Sequence, residues 1–187
     1  MRSILIIATP RSGSTNLLNS IASAYNFSNY FEPVPPVHIK FESVTKLISY
    51  PRTSSNENFY QGIIQQADYI ILLDRLDSIK QTESLYALKE ISRPLYGNEY
   101  AFNKKWIPSD FPKDYYNSKE YKEYKDMLSG CKDTLEWLST TNNIKINYYE
   151  DVYSNKCLLD KSIKLDLDYL DKSKTLRVDT LKTKPLI

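Results

Sequence analysis

The sequence predicts an α/β fold in three layers, a central parallel β-sheet flanked by helices. Three observations carry that expectation. Short apolar runs recur as Ile4 to Ala8, Tyr69 to Leu73 and, more mixed in character, Ile144 to Glu150. The first two are continuous rather than alternating, which suits strands covered on both faces. Stretches with helical apolar spacing lie between the runs, and strands alternating with helices build parallel sheets, because a parallel crossover needs a helix-length connection.

Composition sets the outer limits. The 187 residues fit one domain, 1–187, with a long surface excursion at about 93–118. A formal net charge of +2 gives no ground for general nucleic-acid binding, so any anion site must be local. Cys131 and Cys157 stand far apart without metal-type spacing, which favours a reduced chain over a disulfide scaffold. The first apolar run is stopped by Pro10, far short of a membrane span or signal core, so a soluble cytoplasmic protein is expected.

The first element raises the main functional question. The run Ile4 to Ala8 ends in Thr-Pro-Arg-Ser-Gly-Ser-Thr, residues 9–15, and Leu17, Leu18, Ile21 and Tyr25 then recur at helical spacing. A strand that feeds a helix N-terminus through a tight loop makes an anion site, because free amides and the positive end of the helix dipole point to one place. Arg11 adds a fixed charge, Ser12, Ser14 and Thr15 add hydroxyls, and Gly13 permits close backbone approach. An ordinary turn with a Ser or Thr cap uses the same residue types. Aligned on the ATP-binding pattern G-x-x-x-x-G-K-[ST], the chain has Ala8 for the first glycine and Ser14 for the lysine, which weakens an ATPase or kinase reading.

The segment Asn29 to Phe41 is proline-rich and is expected to be irregular at its start. It holds Glu32 and the single histidine, His38, which is expected to be partly buried between apolar neighbours. Next comes the strand Tyr69 to Leu73, then a helix capped by Asp77 and Ser78, with Ile79, Leu85, Leu88 and Ile91 as its apolar side. Asp74 at the strand end mimics a magnesium-holding acid and sustains a nucleotide kinase or hydrolase as the alternative.

The excursion Arg93 to Ser118 is rich in aromatic residues and proline. Tyr96, Tyr100, Phe102 and Trp106, beside Lys104 and Lys105, suit either a sugar-stacking wall or a packed surface loop. A helical stripe of Tyr121, Tyr124, Leu128, Cys131, Leu135 and Leu138 leads into the last strand.

Three segments together resemble the sulfotransferases that use 3′-phosphoadenosine 5′-phosphosulfate (PAPS). Residues 9–15 are similar to the family's 5′-phosphosulfate loop. Arg75, Asp77, Gln81 and Ser84 match R-x-D-x-x-x-Q-x-x-S of the bacterial trehalose sulfotransferase branch, and Tyr148 to Val152 resembles a late Y-E-D-L. The resemblance implies the P-loop-like architecture, with Arg11, Ser12, Gly13, Ser14 and Thr15 on the phosphosulfate and Arg75 and Ser84 on the 3′-phosphate. It implies Arg11 and Glu32 as catalytic groups, with His38 as the alternative base, and a structural role for Glu150 and Asp151. PAPS is then the donor substrate and 3′-phosphoadenosine 5′-phosphate (PAP) the product, with no metal. The expected partner is a carbohydrate or small-molecule hydroxyl acceptor, with no nucleic acid or membrane, and these residues do not decide between monomer and homo-oligomer. The family commonly ends in a basic segment over the nucleotide. Arg177, Lys182 and Lys184 of the final stretch are the candidates for that here, without a specific match to the family's segment, so a non-catalytic nucleotide-binding module stays open.

Overall fold

A computed structural model describes residues 3–33, 37–100 and 111–153. Strand β1 (Ser3–Ala8) is buried at every position and lies at the centre of a sheet of five parallel strands. The order is β2-β3-β1-β4-β5, with β2 Ser28–Phe31, β3 Ser43–Ile48, β4 Tyr69–Asp74 and β5 Ile146–Tyr148. Ile6 pairs with Lys46 on one side and Ile71 on the other.

Because successive strand side chains face opposite ways, β1 serves two cores. Ile4, Ile6 and Ala8 join Val44, Ile71 and Leu73 beneath α1 (Ser14–Tyr25), through Leu17, Leu18 and Ile21. Leu5 and Ile7 join Leu47, Ile70 and Leu72 on the other face. That face is covered by α2 (Ser54–Ile64), through Tyr60, Ile63 and Ile64, and by Leu135 and Leu138 of the long helix α5 (Lys119–Asn142). Each fully buried Leu or Ile contributes about 1.5–3 kcal/mol, so the three layers hold together through β1.

Beyond β4 the chain forms α3 (Ser78–Tyr86), a π-helical segment Ala87–Ser92, and α4 (Arg93–Tyr100), whose turns break at Gly97, φ 72°. A short turn at Tyr115–Asn117 precedes α5 (Lys119–Asn142), and α6 (Tyr149–Tyr153) follows β5. Tyr86 gathers Phe111, Tyr115, Tyr121 and Tyr124 around it, and the Tyr115 and Tyr116 hydroxyls donate to Glu83 at 2.8 and 2.6 Å. Part of the excursion is therefore packed onto α3 and α5 rather than lying loose. No helix among the described residues is long and apolar enough to cross a membrane.

The structure differs from the sequence-based expectation in five respects. Asn29 to Phe31, expected to be irregular, form β2, and β3 and α2 have no counterpart in the apolar patterning. The last strand covers Ile146–Tyr148 only, since Tyr149 and Glu150 begin α6. Ile79 is 64% exposed, because the buried side of α3 runs through Gln81, Thr82, Leu85 and Tyr86, about 200° around the helix from residue 79 at the first of these. His38 is exposed rather than partly buried. Phe102, Lys104, Lys105, Trp106, Cys157, Arg177, Lys182 and Lys184 lie outside the described residues.

From β1 the chain passes through α1 to the β2 side, and from β3 it passes through α2 across β1 to β4. A change of direction of this kind leaves a crevice at the carboxyl ends of the strands.

Candidate anion-binding site

The crevice is built around residues 9–15. Two of them hold left-handed backbone, Arg11 at φ 62° and Gly13 at φ 79°. Glycine adopts this conformation freely, whereas for arginine it costs about 1–2 kcal/mol. Gly13 caps α1, and its carbonyl accepts the first helical hydrogen bonds, from Asn16 at 3.0 Å and Leu17 at 3.2 Å. The amides of Ser14 and Thr15 thus lie ahead of the helical pattern, at the positive end of the helix.

The hydroxyls divide their work. Ser12, fully buried, donates to the Thr9 carbonyl at 2.8 Å and closes the loop on itself. Ser14, 4% exposed, makes no side-chain hydrogen bond to the described residues. Thr15 is exposed and accepts from Lys46 Nζ at 3.2 Å.

Helix α3 fastens this loop from the side. Gln81, fully buried, donates through Nε2 to Thr9 Oγ1 at 2.8 Å and to the Pro10 carbonyl at 2.7 Å. One turn on, Ser84 Oγ accepts from Arg11 Nε at 2.9 Å. Asp77 caps α3 by accepting from the Lys80 amide at 3.0 Å. The three polar residues at positions 77, 81 and 84 therefore start the helix, staple the loop and orient its arginine.

Cations converge here. Burial holds the Arg11 guanidinium below its ordinary pKa, and the charges of Arg75 and Arg93 press in the same direction. The π-helical segment between α3 and α4 delivers Arg93 to this neighbourhood. Arg75, at the end of β4, stacks its guanidinium 4.9 Å from the Tyr149 ring centroid and places Nε 3.8 Å from Glu150 Oε1. Mutual repulsion among like charges is relieved by an incoming polyanion.

On the opposite side, Glu32 turns the chain at the end of β2 with a left-handed φ of 43°. Its amide donates to the Lys46 carbonyl at 2.9 Å, and its carboxylate meets Lys46 Nζ at 2.7 Å. Lys46 is 2% exposed and lies 3.8 Å from the Phe31 ring centroid. Burial pulls its pKa down, Glu32 opposes this, and Arg11 adds a further downward push.

Two acidic residues are fully engaged. Asp74 accepts from Thr9 Oγ1 at 2.7 Å and from Lys132 Nζ at 3.0 Å. Glu150 accepts from the Leu76 and Asp77 amides at 2.9 and 3.1 Å, which ties α6 to the turn before α3. Burial works upward on the Glu150 pKa, but these amides and Arg75 outweigh it and hold it below the ordinary glutamate value. A carboxylate that ionises more readily when folded stabilises the fold at neutral pH, and loses that effect as pH falls from the unfolded value through the lower folded one. Glu150→Gln is therefore expected to cost about 1 kcal/mol or less near pH 7, given the partial exposure. Its stability should also fall less steeply than wild type below about pH 4.5, as measured by urea unfolding across pH; parallel acid curves would contradict this role.

The structure thus brings Arg11, Ser12, Gly13, Ser14, Thr15, Arg75, Ser84 and Glu32 to the carboxyl ends of the strands. It does not bring His38. The neighbouring Ile39 amide is held by Gln66 just before β4, at the amino end of the sheet. Cys131 is fully buried, with its thiol pushed up to about 12 by burial and Asp74, which removes it as a nucleophile. Lys46 and Arg93 escaped the sequence reading. The signal for Lys46 was a lysine inside the run Ser43 to Ile48. No group of His, Cys, Asp and Glu suited to a metal occurs among the described residues. No protein-family model matches the chain, and no curated protein matches it.

Proposed function

We propose that this chain is a PAPS-dependent sulfotransferase acting on a hydroxyl acceptor, a carbohydrate or other small molecule. The observation that carries the reading is the Arg11 to Ser84 hydrogen bond, which joins a phosphate-type loop to a second cationic site at the end of β4. A ligand with anionic groups at two separate positions suits such a pair. The 5′-phosphosulfate takes the amides of residues 13–15, the Ser14 and Thr15 hydroxyls and Arg11. The 3′-phosphate takes Arg75 and Ser84, with Arg93 adding charge nearby. Ser84 accepts from Arg11, so its own proton remains to be given to a phosphate oxygen. Each charge-assisted contact contributes about 1.5–3 kcal/mol.

In the proposed step the acceptor oxygen attacks sulfur as its proton passes to the Glu32 carboxylate. The bond between sulfur and the bridging phosphate oxygen breaks, its electron pair stays on the 5′-phosphate, and PAP leaves. The loop amides and Arg11 neutralise the charge growing on that oxygen, which is where preorganised donors act most strongly.

Against a magnesium-dependent kinase stand the missing loop lysine and Asp74, whose two oxygens already accept from Thr9 and Lys132. The test is incubation with sulfur-labelled PAPS and a panel of sugars and alcohols without added metal. Labelled acceptor and PAP in equal amounts are the expected products. Turnover of Mg-ATP with none of PAPS contradicts the reading, and tight PAP binding without any transfer reduces the chain to a nucleotide-binding module.

A further inference from the structure

Two exposed aromatic residues accompany Glu32 at the carboxyl ends of the strands. Phe31, 50% exposed, ends β2, and Tyr50, 57% exposed, lies two residues beyond β3. The two strands are neighbours in the sheet. Among the described residues the other exposed aromatic side chains lie elsewhere: Phe41 before the amino end of β3, Tyr96 on α4 and Tyr116 in the turn before α5. Glu32 follows Phe31 directly in the chain. Its charge also reaches Tyr50, whose hydroxyl is pushed above its ordinary pKa first by burial and then by Glu32.

A scattered exposed ring is ordinary, whereas Tyr50 is rigidly mounted. Its amide donates to Tyr60 Oη at 2.9 Å, and that hydroxyl donates in turn to the Ile48 carbonyl at 2.8 Å. Its carbonyl accepts from Thr134 Oγ1 at 2.7 Å. Ser49 before it stays tied to β1, its amide donating to the Ala8 carbonyl at 2.9 Å. Pro51 after it packs so closely on Gly130 of α5 that a Cβ on that glycine would come within 2.9 Å of the Pro51 Cβ. Helices α2 and α5 thus fix the main chain around a side chain that is left to solvent. A recognition side chain on such a support is held in place before its ligand arrives, so less ordering entropy is lost on binding. Phe31 is steadied as well, since Lys46 Nζ lies 3.8 Å from its ring centroid.

We propose that Tyr50 and Phe31 form the acceptor subsite, and that the acceptor is a sugar in its ring form. This rests on the sulfotransferase reading and deepens it. A pyranose has a flat face of C–H groups and a rim of hydroxyls. The face suits an exposed aromatic ring, whose own face carries partial negative charge, and the rim suits the Tyr50 hydroxyl and the Glu32 carboxylate. A sugar stacked there presents one rim hydroxyl to Glu32. An open-chain polyol has the hydroxyls without the flat face, and a phenol has the flat face without the neighbouring hydroxyls, so each satisfies half of the subsite. Tyr50 is thereby a specificity-determining residue that touches the acceptor and not the donor.

The experiment assays wild type, Tyr50→Ala, Tyr50→Phe and Phe31→Leu with labelled PAPS and three kinds of acceptor: methyl pyranosides of glucose, galactose and mannose, the open-chain polyol sorbitol, and phenol. Thermal shifts with PAP run in parallel. The hydrogen bonds that hold residue 50 are main-chain bonds and survive substitution, so Tyr50→Ala should melt and bind PAP as wild type does. Wild type is expected to transfer to at least one methyl pyranoside in preference to sorbitol and phenol. Tyr50→Ala should raise KM for that sugar about threefold to tenfold, the loss of one aromatic contact, with kcat little changed. Tyr50→Phe, which keeps the ring, should recover most of the loss, and Phe31→Leu should raise KM in the same direction. If Tyr50→Ala does not fold, Phe31→Leu decides alone. An unchanged KM, an equal rise for sorbitol, or a preference for sorbitol or phenol overturns the subsite and leaves the sulfotransferase reading intact. Wild type that fails to bind PAP, or binds it and transfers to none of the acceptors, overturns both.

Discussion

Arg11→Ala is expected to abolish detectable sulfuryl transfer and to weaken donor binding while the chain stays folded. Arg11 is half-buried, hydrogen-bonded to Ser84 at 2.9 Å, and held beside Arg75 and Arg93. In the proposed reaction, removing it deletes the charge set against the bridging oxygen, where losing one preorganised donor costs about 10²–10³ in rate. The substitution also removes the hydrogen bond that orients Ser84, the residue proposed to meet the 3′-phosphate. The fold should not suffer, because the guanidinium is pressed by like charges and its backbone sits at a left-handed φ of 62°. Arg11→Gly sharpens the point: it relieves backbone strain of about 1 kcal/mol and should raise the melting temperature while losing transfer. Melting curves beside a transfer assay separate the two effects, and wild-type turnover in either variant would sink the assignment of this loop.

Glu32→Gln is the second large effect, a fall in transfer rate of about 10²–10⁴ with little change in PAP affinity. The amide keeps the shape and the backbone link to Lys46, and it loses the ability to take the acceptor's proton. Lys46 meanwhile loses the partner that opposes its burial, so its own pKa should drop further. Single-turnover kinetics with enzyme in excess over PAPS give the rate without interference from nucleotide release. Equal rates in Glu32→Gln and wild type would move the base elsewhere. The structure leaves His38 poorly placed to inherit the role, exposed beside a residue anchored at the amino end of the sheet.

The parts of the molecule legible in the sequence are those in which one face of an element is uniformly apolar. β1 and β4 read as buried strands because Ile4 to Ala8 and Ile70 to Leu73 are unbroken apolar runs, whose alternate residues join the two hydrophobic cores. α5 read as a helix because Tyr121, Leu128, Cys131, Leu135 and Leu138 repeat with its turn. β3 was invisible for the opposite reason: it buries Ser43, Thr45 and Lys46, and its lysine is tolerated only because Glu32 and Thr15 meet its ammonium. β2 is an edge strand with mostly exposed side chains and carries no period to detect.

The site was legible as far as its residues are close in sequence. Residues 9–15 declare a loop, and the spacing of Asp77, Gln81 and Ser84 declares a shared helix face. The sequence could not say that Gln81 points at Thr9 and Pro10, or that Ser12 turns inward to the Thr9 carbonyl. Those contacts span the crevice or fold back within the loop, and they depend on how α3 sits against β1. Arg93 was hidden because a π-helical segment resets the helical phase between Ser84 and residue 93.

The central claim is that the crevice holds a nucleotide bearing phosphate at both the 5′ and the 3′ positions. Its most direct test is a thermal-shift titration comparing PAP with adenosine 5′-phosphate and with Mg-ATP, since a ligand that binds only the folded chain raises its apparent stability. The two cationic sites predict strong stabilisation by PAP, little by adenosine 5′-phosphate, and loss of the PAP response in Arg75→Ala. Stabilisation by Mg-ATP in preference to PAP, or equal responses to PAP and adenosine 5′-phosphate, would contradict the account.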